Sequence, residues 1–251
     1  MKLFVAVASY KGISDEEAKA NVAADELAAA GHEVSVGVLK GLALLDMARA
    51  ELGTAFRMSG ADATVLQDDD VKITGPSMLD MIKCGKDVVT APCLMRGDAG
   101  DYGVAEPVRA DRHVYNVVPY TDPIRVNGVR LAETLSTGLG CVLVRRAAFD
   151  TLCKTYPDDH FRSQVIPGQR SYALFNSILM PANALEEGAP EDENEFLGDD
   201  RAFSARLRGA KITIWVSLDA RTNHRGLEGC FGEEMTRVRG AGLVGPGGKP
   251  L

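Results

Sequence analysis

The sequence predicts an α/β protein whose central sheet is mostly parallel and Rossmann-like, with flanking helices and a smaller region of mixed strands. Three observations predict it. Short apolar, β-branched runs alternate with helical patterns over the first ninety residues. An Asn-Gly hairpin signal then interrupts that order. Finally, 251 residues of which 45% are hydrophobic are enough for one sizeable core without disulfides or a structural metal.

Lys2–Ser9 is a short apolar run and reads as a central buried strand. Ser14 and Glu17 have capping-box spacing and open one helical stretch with apolar Ala20, Val22, Ala23, Leu27 and Ala30, stopped by Gly31. Val34, Val36 and Val38 alternate as the next strand, and strand, helix, strand in that order calls for parallel pairing through a crossover. Leu45, Ala48, Leu52 and Phe56 share a helical face, and Ala63–Leu66 is a strand. Pro76–Cys84, ended by Gly85, is a helix, and Asp87–Ala91 a further strand. Beyond Pro92, glycines 97, 100 and 103 lie among acidic residues. Ile124 and Val126, Asn127-Gly128, then Val129 and Leu131 form a hairpin pattern. Cys141–Val144 reads as a strand, Arg146–Lys154 as a helix, Ser171–Met180 as a helix, and EEGAPEDENE as a mobile acidic segment. Asp199–Leu207 is a helix stopped at Gly209; Ile212, Ile214 and Val216 alternate as a strand, and the Gly- and Pro-rich tail is irregular. No linker separates two autonomous units, so one domain is expected over 1–251.

Lysine plus arginine number 28 against 35 acidic residues, a net charge of −7, which excludes a general electrostatic grip on nucleic acid or anionic lipid. The five cysteines are far apart and odd in number, so neither a disulfide framework nor a zinc knuckle is legible. The apolar run of MKLFVAVASYKG is too short for a signal-peptide core or a membrane span. A cytoplasmic protein is expected.

Five segments carry side chains suited to chemistry. In VLQDDDV, Asp68, Asp69 and Asp70 follow an apolar strand; adjacent carboxylates repel, and a divalent cation relieves the repulsion. On an extended chain Asp68 and Asp70 would share a side and Asp69 point elsewhere; a solvated acidic turn accounts for the triplet equally well. Arg49, on the preceding helix, could hold phosphate oxygens or simply be a surface charge. In LSTGLGCVLVRR, Thr137, Gly138 and Gly140 make either a loop that lets a ligand approach the backbone or an ordinary tight turn. In FLGDDRAF, Asp199 and Asp200 open a helix, as caps or as a base that the helix dipole keeps ionised. In DARTNHRG, His224 follows a strand after a short loop and is a polar residue or an imidazole ligand.

Taken together, the order of these segments resembles that of small, soluble, family-2-like nucleotide-sugar-dependent glycosyltransferases of the GT-A fold, over Leu3 to about Gly226. The resemblance implies a nucleotide-binding half over 1–92, a sugar and acceptor half over 93–226 and an irregular tail over 227–251. It implies a DxD-type metal site of Asp68 and Asp70 with His224, holding Mn²⁺ or Mg²⁺, and a catalytic carboxylate at Asp200 or Asp199. The donor, a UDP- or GDP-linked sugar, would meet Ser9 and Tyr10 after the first strand, Arg49 and Asp69 near the diphosphate, and Thr137 and Gly138 beside the sugar. Two departures stand out: Ala50 follows Arg49 where many relatives have Asn, and Asp199 stands where Glu is usual. The activity implied is transfer of a sugar to an acceptor hydroxyl, the acceptor being open. The competing readings are a nucleotidyltransferase, against which the sparse VASYKG loop argues, and a nucleotide- or carbohydrate-binding module without catalysis. No G-x-G-x-x-G follows the first strand, which disfavours a dinucleotide-dependent dehydrogenase.

Overall fold

The computed structural model describes residues 1–9, 12–42, 44–93, 121–181, 194–224 and 227–229. Tyr10, the glycines at 97, 100 and 103, most of the acidic segment and the tail beyond residue 229 lie outside the described residues; the first three residues of the tail expected to be irregular, 227–229, form a strand instead.

The fold is mixed α/β. Its elements begin with β1 (Lys2–Ser9), α1 (Asp15–Asn21), α2 (Ala24–Ala29), β2 (Glu33–Lys40), α3 (Leu45–Ser59), β3 (Ala63–Asp68), β4 (Val71–Ile73), α4 (Gly75–Lys83) and β5 (Val88–Thr90). The second part supplies β6 (Ile124–Val126), β7 (Val129–Thr134), β8 (Cys141–Arg145), α5 (Arg146–Thr155), β9 (His160–Arg162), β10 (Arg170–Tyr172) and β11 (Ile178–Pro181). It ends with β12 (Asn194–Leu197), α6 (Asp199–Gly209), β13 (Ile214–Ser217), β14 (Thr222–His224) and β15 (Leu227–Gly229).

An eight-stranded sheet runs β2-β1-β3-β8-β5-β13-β7-β6, so it interleaves strands from both parts of the chain. The expectation of a mostly parallel sheet needs correction. β1 pairs in parallel with β2 and β3, and β13 with β5. β8, however, inserts antiparallel between β3 and β5, and β7 runs antiparallel to both β13 and β6. Helical crossovers dictate parallel neighbours only among β1, β2 and β3; a strand arriving from further along the chain is free to enter reversed.

Successive β1 side chains serve two apolar layers, as period-two geometry requires. Leu3, Val5 and Val7 pack with Leu27, Met78 and Met81, whereas Phe4, Ala6 and Ala8 pack with Leu52, Phe56, Phe149 and Phe203. α3 lies close on α5: a Cβ at Gly53 would stand 2.6 Å from the Phe149 ring.

The capping box of Ser14 and Glu17 is present, but the single helix expected up to Gly31 is two, broken at Ala23 with φ 52°. The Asn127-Gly128 turn has both residues at positive φ, as a type I′ hairpin demands. The helix expected at Ser171–Met180 does not form; that stretch is the end of β10, a turn and β11. Its side chains are claimed by tertiary partners, Ser171 by Glu51 and Phe175 by a stacked Phe203. No helix among the described residues is long and apolar enough to cross a membrane.

Candidate functional site

β1 and β3 are parallel, so Ser9 and Asp68 close adjacent strands at the same end of the sheet. Just past that end the acidic triplet turns into β4. The turn is held from three directions. Gln67, buried, donates its amide to the Val71 carbonyl across the turn at 2.6 Å. Ser9 donates its hydroxyl to Asp69 Oδ2 at 2.5 Å and itself receives the Gly12 N–H at 2.9 Å. Asn21 of α1 donates to the Asp69 carbonyl at 3.3 Å.

Because β3 ends at Asp68, the extended spacing expected for the triplet does not apply. The three carboxylates find separate partners: Asp68 meets Arg49, Asp69 meets Ser9, and Asp70 meets His224.

Arg49 belongs to the buried face of α3, with Ala48, Leu52 and Phe56. Only 6% of it is exposed, and its guanidinium forks: one nitrogen donates to Asp68 Oδ1 at 2.6 Å, the other to Asp199 Oδ2 at the start of α6. A planar, permanently charged group suits that double contact better than lysine would. One cation therefore ties the end of β3 to the N-terminus of α6.

Next to it, Asp200 is half-buried, and its pKa is pushed up to about 6. Burial is the largest cause, followed by the charge of Asp199 and a hydrogen bond between the two carboxyls; Arg49 opposes the shift. The helix dipole does not keep this group at ordinary acidity, contrary to the expectation from its position. Asp199 is paired with Arg49, and Asp200 beside it is the carboxyl whose proton comes and goes near pH 6.

His224 comes to Asp70 through strand pairing. β14 lies antiparallel to β4 with His224 opposite Val71, so after the short loop that follows β13 it sits on a strand. Its Nε2 stands 3.4 Å from Asp70 Oδ1. β14 is fixed in turn by Thr222 donating to the Pro92 carbonyl at 2.6 Å and by the Arg221 N–H donating to Ser77 at 2.9 Å.

Thr137 and Gly138 are buried in the turn before β8. The Thr137 N–H donates to Ser204 of α6 at 2.9 Å and its hydroxyl to the Gly138 carbonyl at 3.0 Å, while the Asp68 N–H donates to the Gly140 carbonyl at 3.1 Å. The loop thus braces α6 and the end of β3 from behind.

The donor chemistry at the Asp70–His224 pair, a carboxylate oxygen beside an imidazole nitrogen, suits a divalent ion. The three-donor set expected with Asp68 is not assembled. Asp68 is engaged by Arg49, and among the described residues no three His, Cys, Asp or Glu side chains converge on one point.

Two structural residues escape a search for chemical motifs. Gln67 sits as a polar residue inside a buried strand. Glu51 is 1% exposed on α3 and accepts from Ser163 Oγ at 2.5 Å, the Gln164 N–H at 2.8 Å and Ser171 Oγ at 2.9 Å, locking the β9–β10 hairpin onto the helix that carries Arg49. The available signal was a charged residue set within the apolar spacing of Ala48 and Leu52.

No family model matches the sequence, and no curated protein matches it. Among solved structures, the chain is similar to A197 from STIV, at 15% identity and a TM-score of 0.45, over 89% of this chain and 84% of that one. It is also similar to a glycosyltransferase involved in the glycosylation of the major capsid of PBCV-1, at 10% identity and a TM-score of 0.32, over 86% and 92%. Both likenesses are distant, and inference about function rests on the side chains described above.

Proposed function

We propose that the protein is a metal-dependent glycosyltransferase that moves a sugar from a nucleoside-diphosphate sugar to an acceptor hydroxyl. The observation that carries this is the convergence at one end of the sheet. The Arg49 node joins Asp68 to Asp199, beside Asp200 with its raised pKa, and the Asp70–His224 pair lies two residues along the chain from Asp68.

A diphosphate entering here would compete with Asp68 and Asp199 for the Arg49 guanidinium, whose fork matches phosphate oxygens as well as carboxylates. Asp70 and His224 would hold Mn²⁺ or Mg²⁺, which when bound supplies charge neutralisation for the departing diphosphate. Ser9 borders the nucleoside at the carboxyl ends of parallel strands, Tyr10 being the next residue in the sequence, and Asp69 is held in place there by Ser9. Thr137 and Gly138 support the sugar side by fixing α6. Asp200 takes the acceptor proton in an inverting reaction or steadies the donor sugar in a retaining one.

The test is a panel of UDP- and GDP-sugars incubated with Mn²⁺, with release of the nucleotide measured. Turnover of at least one donor is expected, reduced about 10²–10⁴-fold by Asp200→Asn with nucleotide binding retained. No turnover with nucleotide binding intact would identify a binding module, and pyrophosphate release from a nucleoside triphosphate a nucleotidyltransferase.

A further inference from the structure

A cavity of about 400 Å³ opens at the first turn of α3, between that helix and the β9 segment. This is within the range of about 300–1,000 Å³ in which small molecules are held. Its polar walls include Asp46, Asp158, Asp159 and His160, its apolar walls Met47 and Phe161, and no lysine or arginine lines it among the described residues.

Carboxylates dominate the polar lining, and the amides of Gln164 and Asn176, which both donate and accept, complete it. His160 Nδ1 stands 2.8 Å from the Pro157 carbonyl, which can only accept, so Nδ1 donates there and the ring is held in place on the wall. Asp159 gives one oxygen to Arg206 Nε at 3.3 Å. The N-terminal turn of α3, which would otherwise attract an anion, already holds Asp46, whose Oδ1 accepts the Met47 N–H at 2.7 Å. Carboxylates without a lining cation repel phosphate, so this cavity is unsuited to the donor nucleotide.

The geometry points to a second binding pocket here, for a neutral, hydroxyl-rich saccharide. Hydroxyls donate to the carboxylates and both donate to and accept from the Gln164 and Asn176 amides, and the C–H face of a sugar ring suits Phe161 and Met47. Asp46 and Arg49 are three residues apart on one helix, where side chains are neighbours with about 5–6 Å between Cβ atoms. The pocket therefore adjoins the Arg49 node, and its occupant is the acceptor of the transfer reaction, an assignment that rests on the function proposed above. The hairpin that walls it is locked by Glu51, so the pocket is built on a fixed support.

Saturation-transfer NMR on the full chain, with glucose, maltose and glucosamine as probes, tests the pocket. Transfer to glucose or maltose is expected, falling at least fivefold in His160→Ala and in Asp158→Asn, both exposed positions where the fold tolerates change. Transfer that persists in both variants, absence of transfer to all three probes, or transfer to glucosamine alone, which would mark a cation pocket, overturns the proposal. A separate titration of the wild type with UDP and Mn²⁺ bears on the transferase function only, so the two ideas fail by different readouts.

Discussion

Two charged centres flank the acidic turn, and they are built differently. At Arg49 a buried, permanently charged guanidinium is gripped by two carboxylates from distant elements. At His224 an imidazole meets one carboxylate at 3.4 Å, and its charge depends on protonation. The first centre is a fixed electrostatic joint between β3 and α6. The second is a longer contact whose charge can change. On the function proposed above, the first would hold phosphate and the second a divalent cation.

Breaking the fixed joint should have the largest effect. Arg49→Ala leaves the carboxylates of Asp68 and Asp199 without their shared cation, and because both are part-exposed the loss should be about 1–3 kcal/mol. Urea denaturation should show that loss, with Arg49→Lys falling between; a change of under about 0.5 kcal/mol would mean that the joint is ornamental.

Asp200 comes next, with the opposite sign. Its value of about 6 in the folded protein lies above the ordinary 3.8. Below about pH 4 both folded and unfolded chains hold the proton and the group costs nothing. Between about 4 and 6 the unfolded chain releases it first, so stability falls as pH rises; above about 6 the full cost is in force. Asp200→Asn should therefore stabilise the protein at pH 7.5 and leave it nearly unchanged at pH 4, as thermal melts at the two pH values would show. If Asp200 is the base, the pH–rate profile of the wild type rises through about 6.

The smallest stability effect belongs to the adaptable pair. His224→Ala removes a long contact, 3.4 Å, whose charge depends on protonation, and should cost about 1 kcal/mol. A loss comparable to that of Arg49→Ala would erase the distinction between the two centres.

The residues of the fixed joint were legible as types, because Arg49 lies in a clear helical pattern and the carboxylates cluster at a strand end and a helix start. Their mutual contact was not, since it depends on β8 entering the sheet reversed and carrying the loop that braces α6. The association of Asp70 with His224 depends on the register of β4 with β14, two three-residue strands that short apolar patterns do not reveal. The helix break at Ala23 left no mark, because the residue at positive φ is alanine rather than glycine or asparagine. At Ser171–Met180 local pattern misled, because burial of Phe175 and the Glu51 network outweighed propensity. Asp200 followed the same course: its place at a helix start predicts ordinary acidity, and burial beside Asp199 overrides it.

The most direct test of a nucleotide site centred on this turn is calorimetric titration of UDP, with and without Mn²⁺, into the wild type and an Asp70→Ala, His224→Ala double variant. The wild type should bind UDP at least tenfold more tightly with Mn²⁺, and the double variant should lose that gain. Equal binding with and without the ion, or a double variant that keeps the full gain, would contradict the account.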